Sequence, residues 1–221
     1  MKKYINEKML AIFLGFLFSF LFFEVIYLII GIDFNNISTN TYLLLVFIKY
    51  FVFLIVFYLM YHKYLKEKWL DFKINFKKYA KIAFRDWFIG FFIMVISNII
   101  ISLLIKGLGE NEESIQNLIA TTPWVAFIMT SFLAPITEEI IFRKSLKDAV
   151  NNKYLFMILS GLIFGLIHVI SSDNPWEYLL IIPYGAVGVT FANTLYETDN
   201  VYSTIMVHAF HNAMLTILAV I

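Results

Sequence analysis

The chain has 221 residues, of which 61% are apolar, 19% aromatic and 15% charged, with a mean hydropathy of +0.79 and a formal net charge of +1. Soluble domains carry about a quarter charged residues, so this composition excludes a water-soluble globule and predicts an all-α, polytopic membrane helix bundle. Near-neutral charge without a basic patch excludes a nucleic-acid partner, and the absence of cysteine excludes disulfides, thiolate metal sites and a cysteine nucleophile.

With roughly 20 apolar residues needed per crossing, about seven spans (six to eight) are predicted, near residues 9–32, 42–61, 87–105, 123–143, 154–170, 178–195 and 201–221. The first follows Lys2, Lys3 and Lys8 as a signal peptide would, but it outruns the roughly 7–15-residue core of such signals and lacks a small-x-small cleavage site. It is expected to stay as a span, and it contains an isolated acid, Glu24, for which the sequence names no partner.

Between the second and third spans, residues 62–86 carry Lys63, Lys66, Lys68, Lys73, Lys77, Lys78, Lys81 and Arg85, interleaved with Leu65, Trp69, Phe72, Phe76 and Tyr79. That pattern reads as an interfacial helix, with those apolar residues toward lipid, the lysines toward anionic headgroups and His62 as an interface anchor. The stretch 107–122 holds Glu110, Glu112 and Glu113 and no cation, so the positive-inside rule places the basic stretch and the N-terminus in the cytoplasm and the glutamates outside. Lys144, Lys147 and Lys153 place the turn near Asn151 inside as well. A single integral membrane domain is expected, with residues 1–122 as scaffold spans plus the basic segment, and 123–221 as the catalytic or binding core.

That division follows from where polar residues interrupt apolar sequence: Glu138-Glu139-x-x-x-Arg143 after Pro135, Phe164-x-x-x-His168, and His208-x-x-x-Asn212. A charge in mid-membrane costs about 3 kcal/mol or more, so such clusters mark sites. On a helix Glu139 and Arg143 share a face and neutralise each other, whereas Glu138 points elsewhere without a local partner, as a general base would. Glu138 lies fourteen residues before the turn near Asn152 and His168 sixteen after it, so an antiparallel hairpin brings both to similar depth, about 21 and 24 Å from the turn. His208 lies only about 13 Å from the turn at Asp199, so level placement requires the first hairpin to stand partly proud of the bilayer on the cytoplasmic side. His211 is expected at a helix interface.

This ordered set, with Ala134-Pro135-Ile136-Thr137 before the glutamates, Phe142 before Arg143 and Ser160 four before Phe164, resembles the CPBP family of intramembrane proteases: the CAAX-processing endopeptidases and their bacteriocin-immunity and abortive-infection relatives. The resemblance covers about residues 123–221, and Lys144 departs from a frequent glycine. It implies a membrane endopeptidase in which Glu138 and His168 activate water, and in which His208 and Asn212 hold the oxyanion or help bind a metal. Glu139 and Arg143 would shape the site and Phe164 would pack beside His168. The same resemblance leaves open a catalytic zinc held by Glu138, His168 and His208; with no His-Glu-x-x-His helix, chemistry that requires no cofactor is preferred.

The implied substrate is a membrane-associated peptide or protein tail, and the only other partner expected is the lipid bilayer. Richness in Lys, Asn, Ile and Phe suggests an AT-rich bacterium and hence a bacterial cell membrane. Two alternatives stay open. One is a non-catalytic immunity or scaffold protein that keeps the residues as structure; the other is a small transporter, which should show related halves or paired broken helices, and neither is visible.

Overall fold

The computed structural model describes residues 5–31, 37–104 and 109–220; Lys2, Lys3 and the side chain of Glu24 lie outside what it describes. The described residues form eight helices and no strand. They are α1 (Glu7–Leu21), α2 (Phe23–Ile29), α3 (Thr39–Ser102), α4 (Glu110–Thr121), α5 (Pro123–Ala149), α6 (Lys153–Ile167), α7 (Ile181–Thr198, entered through a 3₁₀ turn Pro175–Leu180) and α8 (Val201–Val220). The chain is an all-α integral membrane helix bundle.

Four of these helices are long and apolar enough to cross a membrane: Asn40–Ser102, Pro123–Ala149, Pro175–Thr198 and Val201–Ala219. The predicted first span is divided at Phe22 into α1 and α2, and the predicted fifth is the 15-residue α6. The second and third predicted spans and the basic segment between them form one unbroken 64-residue helix. Nothing in 62–86 breaks it, since the stretch contains neither glycine nor proline.

Straight, α3 would be about 96 Å long, three times a bilayer core. Yet Phe53 and Phe57 pack in one core with Phe142 and Phe164, while Ala83 and Met94 pack with Phe191, whose ring lies 5.7 Å from the same Arg143 guanidinium that stacks 4.2 Å over Phe164. Both ends therefore reach one core, and α3 must arc between them, as long helices curve around what they pack on. The apex is the basic segment, which lies across the α7–α8 turn: Asn200 donates to the Lys68 carbonyl (2.8 Å) and to Asp71 (2.9 Å).

Asn residues start the shorter elements. Asn6 accepts from Met9 N, Asn152 from Leu155 N and Asn174 from Trp176 N, each filling a donor that the first turn leaves open. α7 ends at Asp199, a left-handed residue (φ 48°) that accepts from Lys68 (2.8 Å) and Lys147 (2.6 Å). α6 and α7 approach closely through glycines: a Cβ on Gly165 would sit 2.7 Å from the Ile181 carbonyl, and one on Gly161 2.8 Å from that of Gly185. Small residues of this kind let membrane helices pack backbone to backbone.

Candidate active site

α5 carries the first motif, and it is not a uniform α-helix. Two π-turns, Met129–Leu133 and Glu139–Ser145, interrupt it, with Pro135 between them. Proline has no N–H and its ring crowds the preceding turn, so a widened turn ahead of it relieves the clash. The Ala134 N–H bonds in π register to Met129 O. The next donor in that register would be residue 135, which has none. The Thr130 carbonyl is thereby left to accept from the Asn212 side chain of α8 at 2.8 Å.

The two glutamates have separate surroundings. Glu139 is fully buried; its Oε1 accepts from His208 Nδ1 at 2.8 Å, and its Oε2 faces Arg143 Nε at 3.4 Å. Arg143 is equally buried, and its guanidinium stacks on Phe164 (4.2 Å). Glu138 keeps 12% of its side chain accessible, and its Oε2 stands 3.8 Å from His208 Nε2. His208 thus lies between the two carboxylates. The i,i+4 pairing of Glu139 with Arg143 is present as expected. The bond to His208, between residues 69 apart in sequence, is additional and leaves no trace in the spacing.

Depth agrees because the hairpins are offset. Lys147 bonds to Asp199, so the α5–α6 turn extends about one helical turn past the α7–α8 turn. Measured from that shared level, Glu139 and His208 are about 12 and 14 Å in. The first hairpin thus extends past the second, which is what brings the two groups level.

His168 is placed differently. It caps α6, with Nδ1 bonded to the Phe164 carbonyl at 2.7 Å; a carbonyl can only accept, so Nδ1 carries the proton and Nε2 is free to accept. It makes no hydrogen bond or ion pair with Glu138. The Phe164 ring joins the two histidines, 4.6 Å from His168 and 5.8 Å from His208. Matching depth along the helices did not specify direction around them, and the carboxylate faces α8 rather than the end of α6.

Two participants were not predicted. Trp87 Nε1 donates to His211 Nδ1 at 3.1 Å, which ties α3 to α8 and makes His211 a satisfied interface histidine. Tyr184 stacks on His168 at 4.4 Å and 22°. Neither lies at helical spacing from a motif residue.

A catalytic zinc needs three protein ligands converging on one point. Among the described residues no group of three His, Asp or Glu side chains is close enough to hold a metal. Glu138, His168 and His208 as placed do not fit the ion, and no chemistry is derived through it.

Residues 120–214 match the family model described as type II CAAX prenyl endopeptidase Rce1-like, in agreement with the resemblance carried by the motifs. The chain is 34% identical over 138 residues to "Putative membrane peptidase YdiL" of Bacillus subtilis, covering 58% of this chain and 53% of that protein. It is 32% identical over 160 residues to an uncharacterized protein of Mycoplasma capricolum (67% and 46%), and 29% identical over 156 residues to the UPF0177 protein YbdI of Lactococcus lactis (66% and 83%). The chain thus spans about half the length of the first two relatives. No solved structure matches it. At the level of family, the likeness is to membrane peptidases.

Proposed function

We propose that the chain is an intramembrane endopeptidase that hydrolyses a peptide bond of a membrane-associated peptide or protein tail, using water activated by Glu138. The observation that carries this reading is the unequal treatment of adjacent glutamates: Glu139 is sealed and bound to His208 and Arg143, while Glu138 retains access and faces the same imidazole at 3.8 Å. Two purely structural carboxylates would both be neutralised in place.

In this reading Glu138 takes a proton from water as the oxygen attacks the scissile carbonyl, and later delivers it to the leaving amine. His168 Nε2, left as an acceptor by the bond at Nδ1, orients the same water from the other side of Phe164. Glu139 fixes the His208 ring through Nδ1. Its Nε2 faces Glu138 and, when it carries a proton, donates to the developing oxyanion. Asn212 donates one amide hydrogen to Thr130 and retains a second for the oxyanion. The apolar walls of α6, α7 and α8 limit bulk water.

The relatives are bacterial, and the basic apex of α3 is rich in lysine, so the proposed setting is a bacterial cell membrane with the N-terminus and the α3 apex cytoplasmic. The test incubates purified protein and the Glu138→Gln variant with a quenched-fluorescence peptide library in lipid nanodiscs, with metal content measured on the same samples. Cleavage by the parent and loss in the variant are expected, with no stoichiometric metal. No cleavage by the parent, or equal cleavage by both, refutes the peptidase reading. One zinc per chain, whose removal abolishes cleavage, refutes the metal-free mechanism alone.

A further inference from the structure

His168 stands where the helix no longer holds it. α6 ends at Ile167, and the His168 N–H bonds to Gly165 O in a tightened last turn. Its Nδ1 bond fixes one atom of the ring, about which the plane can still tilt. Two aromatic rings limit that tilt. Phe164, at 54°, meets it obliquely from the same helix; Tyr184 lies nearly parallel to it, 4.4 Å away, from α7.

The flat contact follows from the backbone. Tyr184 precedes Gly185, at the place where α7 closes on Gly161 and Gly165 of α6 with no side chain between. That crossing brings the first turn of α7 against the end of α6, so a ring at 184 lies on a ring at 168. The Tyr184 hydroxyl is itself held, accepting from the Asn111 amide of α4 at 3.3 Å. α4 is anchored in turn: Glu110 N donates to Glu177 (3.0 Å), which also accepts from Ser172 (2.9 Å), and Asp173 N donates to Glu110 (3.1 Å). A continuous path runs from α4 through Tyr184 to His168.

We propose that Tyr184 is the positioning residue for His168, holding the imidazole plane so that Nε2 addresses the reacting water. The inference rests on the peptidase reading for its consequence, though not for its geometry. The ring is the working part, and the hydroxyl bond to Asn111 only steadies it.

The test compares Tyr184→Phe, which keeps the ring and loses the bond to Asn111, with Tyr184→Leu, which loses the ring. Nitrogen NMR of histidine-labelled protein in detergent, with Tm recorded in parallel, reads the rings directly. In Tyr184→Leu the His168 nitrogens are expected to shift and broaden while those of His208 keep their positions; in Tyr184→Phe both stay. On a peptide recovered from the library, kcat should fall about ten- to a hundredfold in Tyr184→Leu with KM within about twofold, and remain near parental in Tyr184→Phe. If Tyr184→Leu does not accumulate, Tyr184→Met, unbranched and flexible, carries the same comparison. His168 signals unchanged by loss of the ring overturn the proposal, as does a kcat loss equal in the Phe and Leu variants. A parent that cleaves nothing defeats the peptidase reading, and the NMR comparison still decides whether Tyr184 holds the ring.

Discussion

Glu138 and Glu139 differ by one position in sequence and by their whole environment in space. Geometry along one helix is enough to separate them, because adjacent side chains diverge while Glu139 and Arg143 share a side. It is not enough to find the partner of Glu139, since His208 arrives from a helix 69 residues later. The two acids should therefore fail differently. Glu138→Gln is expected to fold with parental yield in detergent and lose turnover by orders of magnitude. Arg143→Ala leaves Glu139 buried with one countercharge removed, a defect of about 3–5 kcal/mol when a buried pair is broken, and should cut folded yield. Fluorescence size-exclusion profiles of the two variants side by side are the check; matching loss of folded protein would make both glutamates structural. On the oxyanion side, Asn212→Ala should lower kcat about 10²- to 10³-fold with KM little changed, the usual effect of losing one such donor.

At the level of elements, α5 shows how a single proline reaches a group proposed to be catalytic. The widened turn before Pro135 and the missing N–H at 135 together leave Thr130 O for Asn212. The proline was visible in the sequence beside the motif, but its effect on a carbonyl five residues back depends on a π register that periodicity does not reveal. Pro135→Ala restores a donor that competes for Thr130 O. Turnover should fall, by up to about a hundredfold, as Asn212 loses its anchor. Because the loss acts through Asn212, adding Pro135→Ala to Asn212→Ala should change kcat no further. Full additivity of the two effects in a double-mutant cycle would show that proline acts elsewhere. Tyr184 and Trp87 were illegible for a related reason: Tyr184 touches the motif histidine His168, and Trp87 the interface histidine His211, across helix crossings set by glycines and by the curvature of α3 rather than by spacing within either helix.

For the whole molecule, hydropathy placed the apolar segments in the right order but divided α3 into two spans and a separate interfacial helix and left α4 as an acidic stretch; the unbroken helix through 62–86 was implicit in the absence of glycine and proline there. What could not be read was that the arc of α3 closes over the α7–α8 turn, because that depends on pairs such as Lys68 with Asp199, 131 residues apart. Asp199 joins three elements at this point, accepting from Lys68 of α3 and Lys147 of α5 at the end of α7. Partial burial pushes the pKa of its carboxyl up, but the hydrogen bonds and charges of Lys147 and Lys68 outweigh it and hold the group below its ordinary value of 3.8. A carboxyl depressed by folding contributes stability that is complete above the unfolded value and is lost as pH falls through the folded one. The contribution of this clamp should therefore be present at neutral pH and disappear below about pH 4. Asp199→Asn tests it, since asparagine tolerates the left-handed backbone of this position while removing the charge and one of the two acceptor oxygens. The difference in Tm between the parent and Asp199→Asn, measured in low-salt detergent, should be positive at pH 7, shrink toward zero below about pH 4, and shrink at neutral pH when salt is raised, because the carboxylate is largely exposed and open to screening. A difference that does not depend on pH would show that the charge of Asp199 is not what clamps the turn, and the arc of α3 would then be held by Asn200 and the packing of Trp69 and Phe72 against Tyr202.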